Sequence, residues 1–168
     1  LSLPDIAKRY GLNSETQTKM QNHLTSDALI IGFARRFAPY KRATLLFADP
    51  DRLHNIISKT NKPVIFVFAG KAHPADTLGQ EILQQVITYT LDPRFVGRVF
   101  FLSDYSIKIS KIMVSGCDIW LNTPRRPHEA SGTSGQKVPI NAGLNLSVSD
   151  GWWCEGYNEL NGWTIGPV

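Results

Sequence analysis

The run Ala28-Leu29-Ile30-Ile31-Gly32-Phe33-Ala34 leads directly into Arg35-Arg36-Phe37-Ala38-Pro39-Tyr40-Lys41-Arg42. The first part is an unbroken apolar run with β-branched residues, the pattern of a strand covered on both faces. The second part packs four cations into eight positions at the end of that strand. The same strand pattern recurs at Pro63 to Gly70 (PVIFVFAG), Arg98 to Ser103 (RVFFLS), Cys117 to Asn122 (CDIWLN) and Leu144 to Val148. Between these runs, Lys41 to Phe47 and Asp51 to Lys59 have helical spacing, with Leu45, Leu46, Leu53, Ile56 and Ile57 sharing faces. A longer helix is predicted from Pro74 or Ala75 to about Leu91, striped by Ile82, Leu83, Val86 and Ile87. Another is predicted over Asp104 to Val114, capped by Ser103 or Asp104.

Strands that alternate with helices predict an α/β fold: a Rossmann-like parallel sheet with helices on both faces. A chain of 168 residues, 42% hydrophobic and 19% charged, suits a single α/β domain over 1–168. Residues 1–27 are expected to form a peripheral helical or loop segment, with Asn13 to Asp27 as the candidate for its helix. The chain begins LSLPDIAKRY and stops at NGWTIGPV, which reads as part of a longer protein. Apolar runs such as Val64 to Ala69 are far too short to cross a bilayer, and two cysteines do not make a disulfide framework. A cytoplasmic protein is expected.

In parallel sheets, ligands sit beyond the carboxyl ends of the strands. That rule singles out the loops Arg35 to Lys41, Lys71 to Asp76, Asp104–Tyr105 and Thr123 to Lys137. The net charge of +4 favours an anionic partner. Arg forks grip phosphate bidentately and Lys adds a compact charge, although a solvated basic loop has the same composition. The charges converge on loops instead of interleaving with aromatics along one face, which argues against nucleic acid.

The segment Glu129-Ala130-Ser131-Gly132-Thr133-Ser134-Gly135-Gln136-Lys137 offers a second anion site. Small residues let the backbone approach a ligand, and the free amides of a helix start attract anions. A flexible Ser/Gly turn before a helix over Lys137 to Leu144 reads equally well. The spacing, with Val138 after Lys137, does not match the nucleoside-triphosphatase loop and makes an ATPase reading weak, and Pro139 falls in the first turn of that predicted helix. His23, His54, His73 and His128 lack metal-ligand spacing, so no metal site is expected. Trp120 reads as core and Trp152–Trp153 as packed aromatics after a turn.

Taken in order, FARRFAPYKRATLLF, VFAGKAHPAD, FLSDY, WLNTPRRPHEASGTSGQK and LNLSVSDGWW resemble the C-terminal domain of α-glucan (glycogen or maltodextrin) phosphorylases. The resemblance runs from about Ile30 to Gly166. It implies one lobe of a GT-B glycosyltransferase fold, with the N-terminal lobe of the same enzyme as its partner. It also implies pyridoxal 5'-phosphate as cofactor and the reversible conversion of α-1,4-glucan and inorganic phosphate to glucose 1-phosphate. By the same resemblance Lys137 matches the lysine that forms the Schiff base with the cofactor. Thr133, Ser134 and Gly135 match its phosphate lining, Arg35 a position beside that phosphate, and Tyr105 a tyrosine next to the ring. Arg36 and Lys41 match the pair that grips substrate phosphate; with Lys137 they form the implied catalytic set. Glu129, Ser131 and Gly132 match contacts to glucose hydroxyls. Two other readings share the sheet and basic loops: a nucleotide-sugar GT-B glycosyltransferase of glycogen synthase type, and a non-catalytic phosphate- or glucan-binding module.

Overall fold

The computed structural model describes residues 13–166. Strands β1 Leu29–Ala34, β2 Val64–Ala69, β3 Val99–Leu102, β4 Ile119–Asn122, β5 Leu144–Val148 and β6 Gly162–Ile165 form one sheet ordered β3-β2-β1-β4-β5-β6. Every pairing is parallel. The helices are α1 Ser14–His23, α2 Pro50–Ser58, α3 Thr77–Leu91, α4 Ile107–Gly116, α5 Thr133–Ile140 and the single turn α6 Trp153–Gly156.

The helices cover both faces. Phe33, Phe66, Phe68 and Leu121 from the strands pack with Leu53 and Ile57 of α2 and Val86 of α3. Ala34, Ala69 and Trp120 point the other way and pack with Met113 of α4 and Val138 of α5. The chain steps from β1 to β2 to β3 in one direction along the sheet, then from β4 to β5 to β6 in the other. A constant right-handed crossover therefore places the two sets of helices on opposite faces. Because β1 and β4 are neighbours whose chains leave in opposite directions, a crevice opens at their carboxyl ends.

Four local expectations need correction. The predicted helix over Lys41 to Phe47 is two short 3-10 turns, Pro39–Lys41 and Leu45–Phe47, separated by Arg42 in the left-handed region at φ 48. Arg42 is held there from across the sheet, donating from Nε to the Thr123 carbonyl and from a terminal nitrogen to the Pro124 carbonyl, both at 2.9 Å. Helix α3 begins at Thr77 because the Asp76 carboxylate accepts the Gly79 amide and caps it there. Helix α4 is capped by Ser106, not by Ser103 or Asp104, since Asp104 itself takes a left-handed φ of 58. The fourth correction concerns α5, which starts at Thr133, four residues before Lys137, and so puts Pro139 in the last turn.

Pro139 has no N–H for the Gly135 carbonyl that an α-helix would pair with it. The buried Asn145 amide of β5 donates to that carbonyl instead, at 3.0 Å. Asn145→Ala is expected to leave the acceptor buried without a donor and to cost about 1–3 kcal/mol in denaturant unfolding. Adding Pro139→Ala restores a backbone donor and should recover part of that loss.

The two cysteines are unpaired. Burial, and then the neighbouring Asp118, push the Cys117 thiol up to about 12, whereas Cys154 is exposed. The thiolate is the reactive form. One thiol equivalent should therefore react with a disulfide reagent in the native protein and the second only in denaturant, with mass mapping of the first label to Cys154. Among the described residues no helix is long and apolar enough to cross a membrane.

Candidate active site

The end of β1 sets the geometry. Gly70 after β2 has φ 145, and a Cβ there would lie 2.0 Å from the Arg35 carbonyl oxygen. The chain can thus run on beside Arg35 only with glycine at that point. Phe37 is fully buried and its amide donates to the Lys71 carbonyl, so the loop is anchored in the core between its cations. Arg36 stays exposed, while Arg35 and Lys41 are buried.

Both buried cations meet one carboxylate oxygen. Glu129 Oε2 lies 2.6 Å from an Arg35 guanidinium nitrogen and 2.5 Å from Lys41 Nζ, and the three side chains are 5%, 9% and 6% exposed for Arg35, Lys41 and Glu129. Burial of charge demands this kind of pairing, since an isolated buried ion forfeits its hydration. The second Arg35 terminal nitrogen donates to Asn122 Oδ1. Asn122 Nδ2 donates in turn to Ser147 Oγ at 2.8 Å, and Ser147 Oγ to the Val148 carbonyl at 2.9 Å. Polar side chains thus link the carboxyl ends of β1, β4 and β5. Sequence reasoning passed over Asn122, Ser147 and Asp150; the clue to all three was a polar residue at or just beyond the end of an apolar strand.

Across the crevice, Gly132 stands at the N-cap of α5 with φ 85 and contributes no side-chain acceptor, leaving the first amides of the helix available to a ligand. A cleft of about 340 Å³ brings Arg35, Arg36 and Lys41 from the β1 side together with Glu129, Ser131, Gly132, Thr133 and Ser134 from the β4 side. Gly135 lies buried behind it; a Cβ there would come within 3.0 Å of Trp152 Nε1 and 3.1 Å of Asn145 Oδ1. The remaining two expected site residues are not in this cleft. Tyr105 and Lys137 line a second groove of about 630 Å³, walled by Ile107 and Val114 of α4 and carrying Lys111 at its side. Helix α5 therefore presents its N-terminus to one cavity and Lys137, one turn later, to the other. His73 accepts the Ala75 amide at 3.1 Å near the start of α3, and the His128 ring faces Tyr40 with centroids 6.2 Å apart.

A family model described as carbohydrate phosphorylase matches residues 6–161. The chain belongs to the carbohydrate phosphorylase family. Maltodextrin phosphorylase of Thermococcus litoralis is 52% identical over 143 residues, covering 85% of this chain and 17% of that protein. Glycogen phosphorylase of Aquifex aeolicus is 50% identical over 143 residues, covering 85% of this chain and 21% of that protein. Glycogen phosphorylase of Mycobacterium tuberculosis is 47% identical over 139 residues, with 83% and 16% covered. This phosphorylase-family chain thus spans about a fifth of the length of the curated relatives it matches. The match takes in both cavities and the whole carboxyl edge from β1 to β5.

Proposed function

We propose that the protein is part of a cytoplasmic α-1,4-glucan phosphorylase that uses pyridoxal 5'-phosphate and reversibly transfers glucosyl units from glycogen or maltodextrin to inorganic phosphate, giving glucose 1-phosphate. In this reading residues 1–168 form a single α/β domain, one lobe of a GT-B enzyme whose N-terminal lobe closes over the site. The observation that carries it is the cleft in which Arg35, Arg36 and Lys41 face the uncapped start of α5. Three cations less the Glu129 carboxylate leave two positive charges, enough for a phosphate dianion.

The residues fit the cofactor. The wall behind Gly135 would have to yield by a few tenths of an ångström to admit a Cβ, and the uncapped amides at the start of α5 are free to donate to a phosphate. The adjoining groove has apolar walls for a planar ring and an exposed amine, Lys137, at its edge. When bound, pyridoxal phosphate supplies a phosphate group that exchanges a proton with substrate phosphate. Lys137 and Tyr105 would hold the ring, and Thr133, Ser134, Gly135 and Arg35 would hold its phosphate. Arg36 and Lys41 hold inorganic phosphate. Glu129, Ser131 and Gly132 receive the sugar hydroxyls, with Glu129 Oε1 left to accept because Oε2 is taken by the two cations. Two like charges 4 Å apart repel by about 4 kcal/mol in a medium of intermediate polarity, so bringing two phosphates together requires fixed cations of this kind.

The test is phosphate-dependent release of glucose 1-phosphate from maltoheptaose by the full-length protein. Turnover of a nucleotide sugar with indifference to orthophosphate would replace this reading with the glycogen synthase type.

A further inference from the structure

We infer that Asp150 is a positioning residue that fixes Glu129, and with it the sugar-facing loop, at a set distance from the phosphate-side cations. The inference rests on the phosphorylase reading of the site and adds to it a residue that does not touch the cleft. Asp150 is 5% exposed, and with Glu129 it is one of two buried carboxylates among the described residues. Unlike Glu129, it forms no ion pair with a lysine or arginine among those residues. Its oxygens go to backbone amides: Oδ2 accepts Glu129 N–H at 2.8 Å and Oδ1 accepts Gly151 N–H at 3.0 Å.

An acceptor-only group satisfies two amides at once, whereas an asparagine would turn its own NH₂ toward one of them. Charged acceptors also make the stronger bonds, which suits a group that must hold a loop in place without a cation. The next two residues act on the same loop. Gly151 has φ 58, and a Cβ there would lie 2.5 Å from the Ser131 carbonyl oxygen and 3.1 Å from that of Glu129. Trp152 N–H donates to the Ser131 carbonyl at 2.9 Å. Residues 150–152 therefore form a template for the backbone of 129–131, with the Asp150 bond at the Glu129 end. From that fixed backbone the Glu129 side chain reaches Arg35 and Lys41. Phosphate-side cations and sugar-side acceptors are thereby held in one frame, anchored at the end of β5.

The experiment is a double-mutant cycle on the full-length holoenzyme with Asp150→Asn, Glu129→Gln and the pair. It reads dissociation constants for maltoheptaose and for inorganic phosphate, together with kcat and KM. A displacement near 1 Å costs on the order of 100-fold in turnover, so Asp150→Asn is expected to lower kcat/KM for the glucan by about 10- to 100-fold. Phosphate affinity should stay within about 2-fold, and the loss of maltoheptaose affinity should shrink to within about 2-fold in the Glu129→Gln background. A residue that only supports the fold would lower the melting temperature and cost the same in both backgrounds, and that result would overturn the inference. Gly151→Ala keeps the carboxylate and pushes against the same loop at the Ser131 and Glu129 carbonyls. It should show the same split between glucan and phosphate, and unchanged glucan binding in that variant also overturns the inference, even if Asp150→Asn fails to fold. If the wild type binds maltoheptaose yet releases no glucose 1-phosphate, the phosphorylase reading fails while the binding cycle still decides the role of Asp150.

Discussion

Replacing Lys137 by alanine is expected to leave the full-length protein unable to retain pyridoxal phosphate covalently and to reduce glucose 1-phosphate release by on the order of 1000-fold or more, about 4 kcal/mol of transition-state stabilisation. The reason is positional. Lys137 sits one turn into α5, past the amides that face the cationic cleft, and its amine opens onto the groove shared with Tyr105. In the proposed reading the start of α5 would hold the cofactor's phosphate and Lys137 its aldehyde. Borohydride treatment of the loaded wild type followed by peptide mapping should put the label on Lys137. Lys111 lines the same groove and provides the internal control, since labelling there instead would overturn the assignment. Lys137→Arg separates charge from chemistry: a guanidinium keeps the cation but does not condense with an aldehyde, so this variant should be as depleted of cofactor as the alanine form.

The sheet was legible because its strands are buried on both faces and so read as continuous apolar runs. Val64 to Ala69 and Leu29 to Ala34 leave no ambiguity of period. Two misread helix starts, at Asp76 and Ser106, turn on a choice among neighbouring capping residues, and the segment around Arg42 is set from a distance. Arg42 ends the first 3-10 turn because carbonyls 81 and 82 residues away hold its guanidinium, which no local propensity encodes. Strand β6 escaped notice because Gly162 to Ile165 is short and mixed; Gly162 is required there because a Cβ would lie 2.0 Å from the Asn145 carbonyl oxygen. The site divides in the same way. Cations at strand ends and a Ser/Gly-rich helix start are visible as composition. Asn122 and Asp150 do their work through bonds to residues 87 and 21 positions away, and only the folded chain brings these partners together. The separation of Lys137 and Tyr105 from the cationic cleft likewise follows from where α5 begins, and a run of small polar residues does not fix that start.

Glu129→Ala should be the most destabilising single change at the site, at about 3–5 kcal/mol in denaturant unfolding of the full-length protein. The variant leaves Arg35 and Lys41 buried beside each other without their shared carboxylate, so the cost is that of two unpaired cations and not merely of a lost contact. Glu129→Gln should cost less, because an amide oxygen still accepts from both donors although it carries no charge. The proposed role of the cleft adds a condition that a purely structural ion pair would not meet. If the cations bind phosphate, inorganic phosphate can stand in for the missing carboxylate, and at 100 times its dissociation constant it contributes about 2.7 kcal/mol to the folded state. Phosphate should therefore stabilise Glu129→Ala more than it stabilises the wild type, whose two buried cations already share an anion. A variant that unfolds within about 0.5 kcal/mol of wild type, the range of an ordinary surface substitution, would show that the buried cluster is not held by Glu129. A variant that is destabilised as expected but indifferent to phosphate would show that Arg35 and Lys41 are structural partners of Glu129 and that Lys41 is no part of the grip on substrate phosphate.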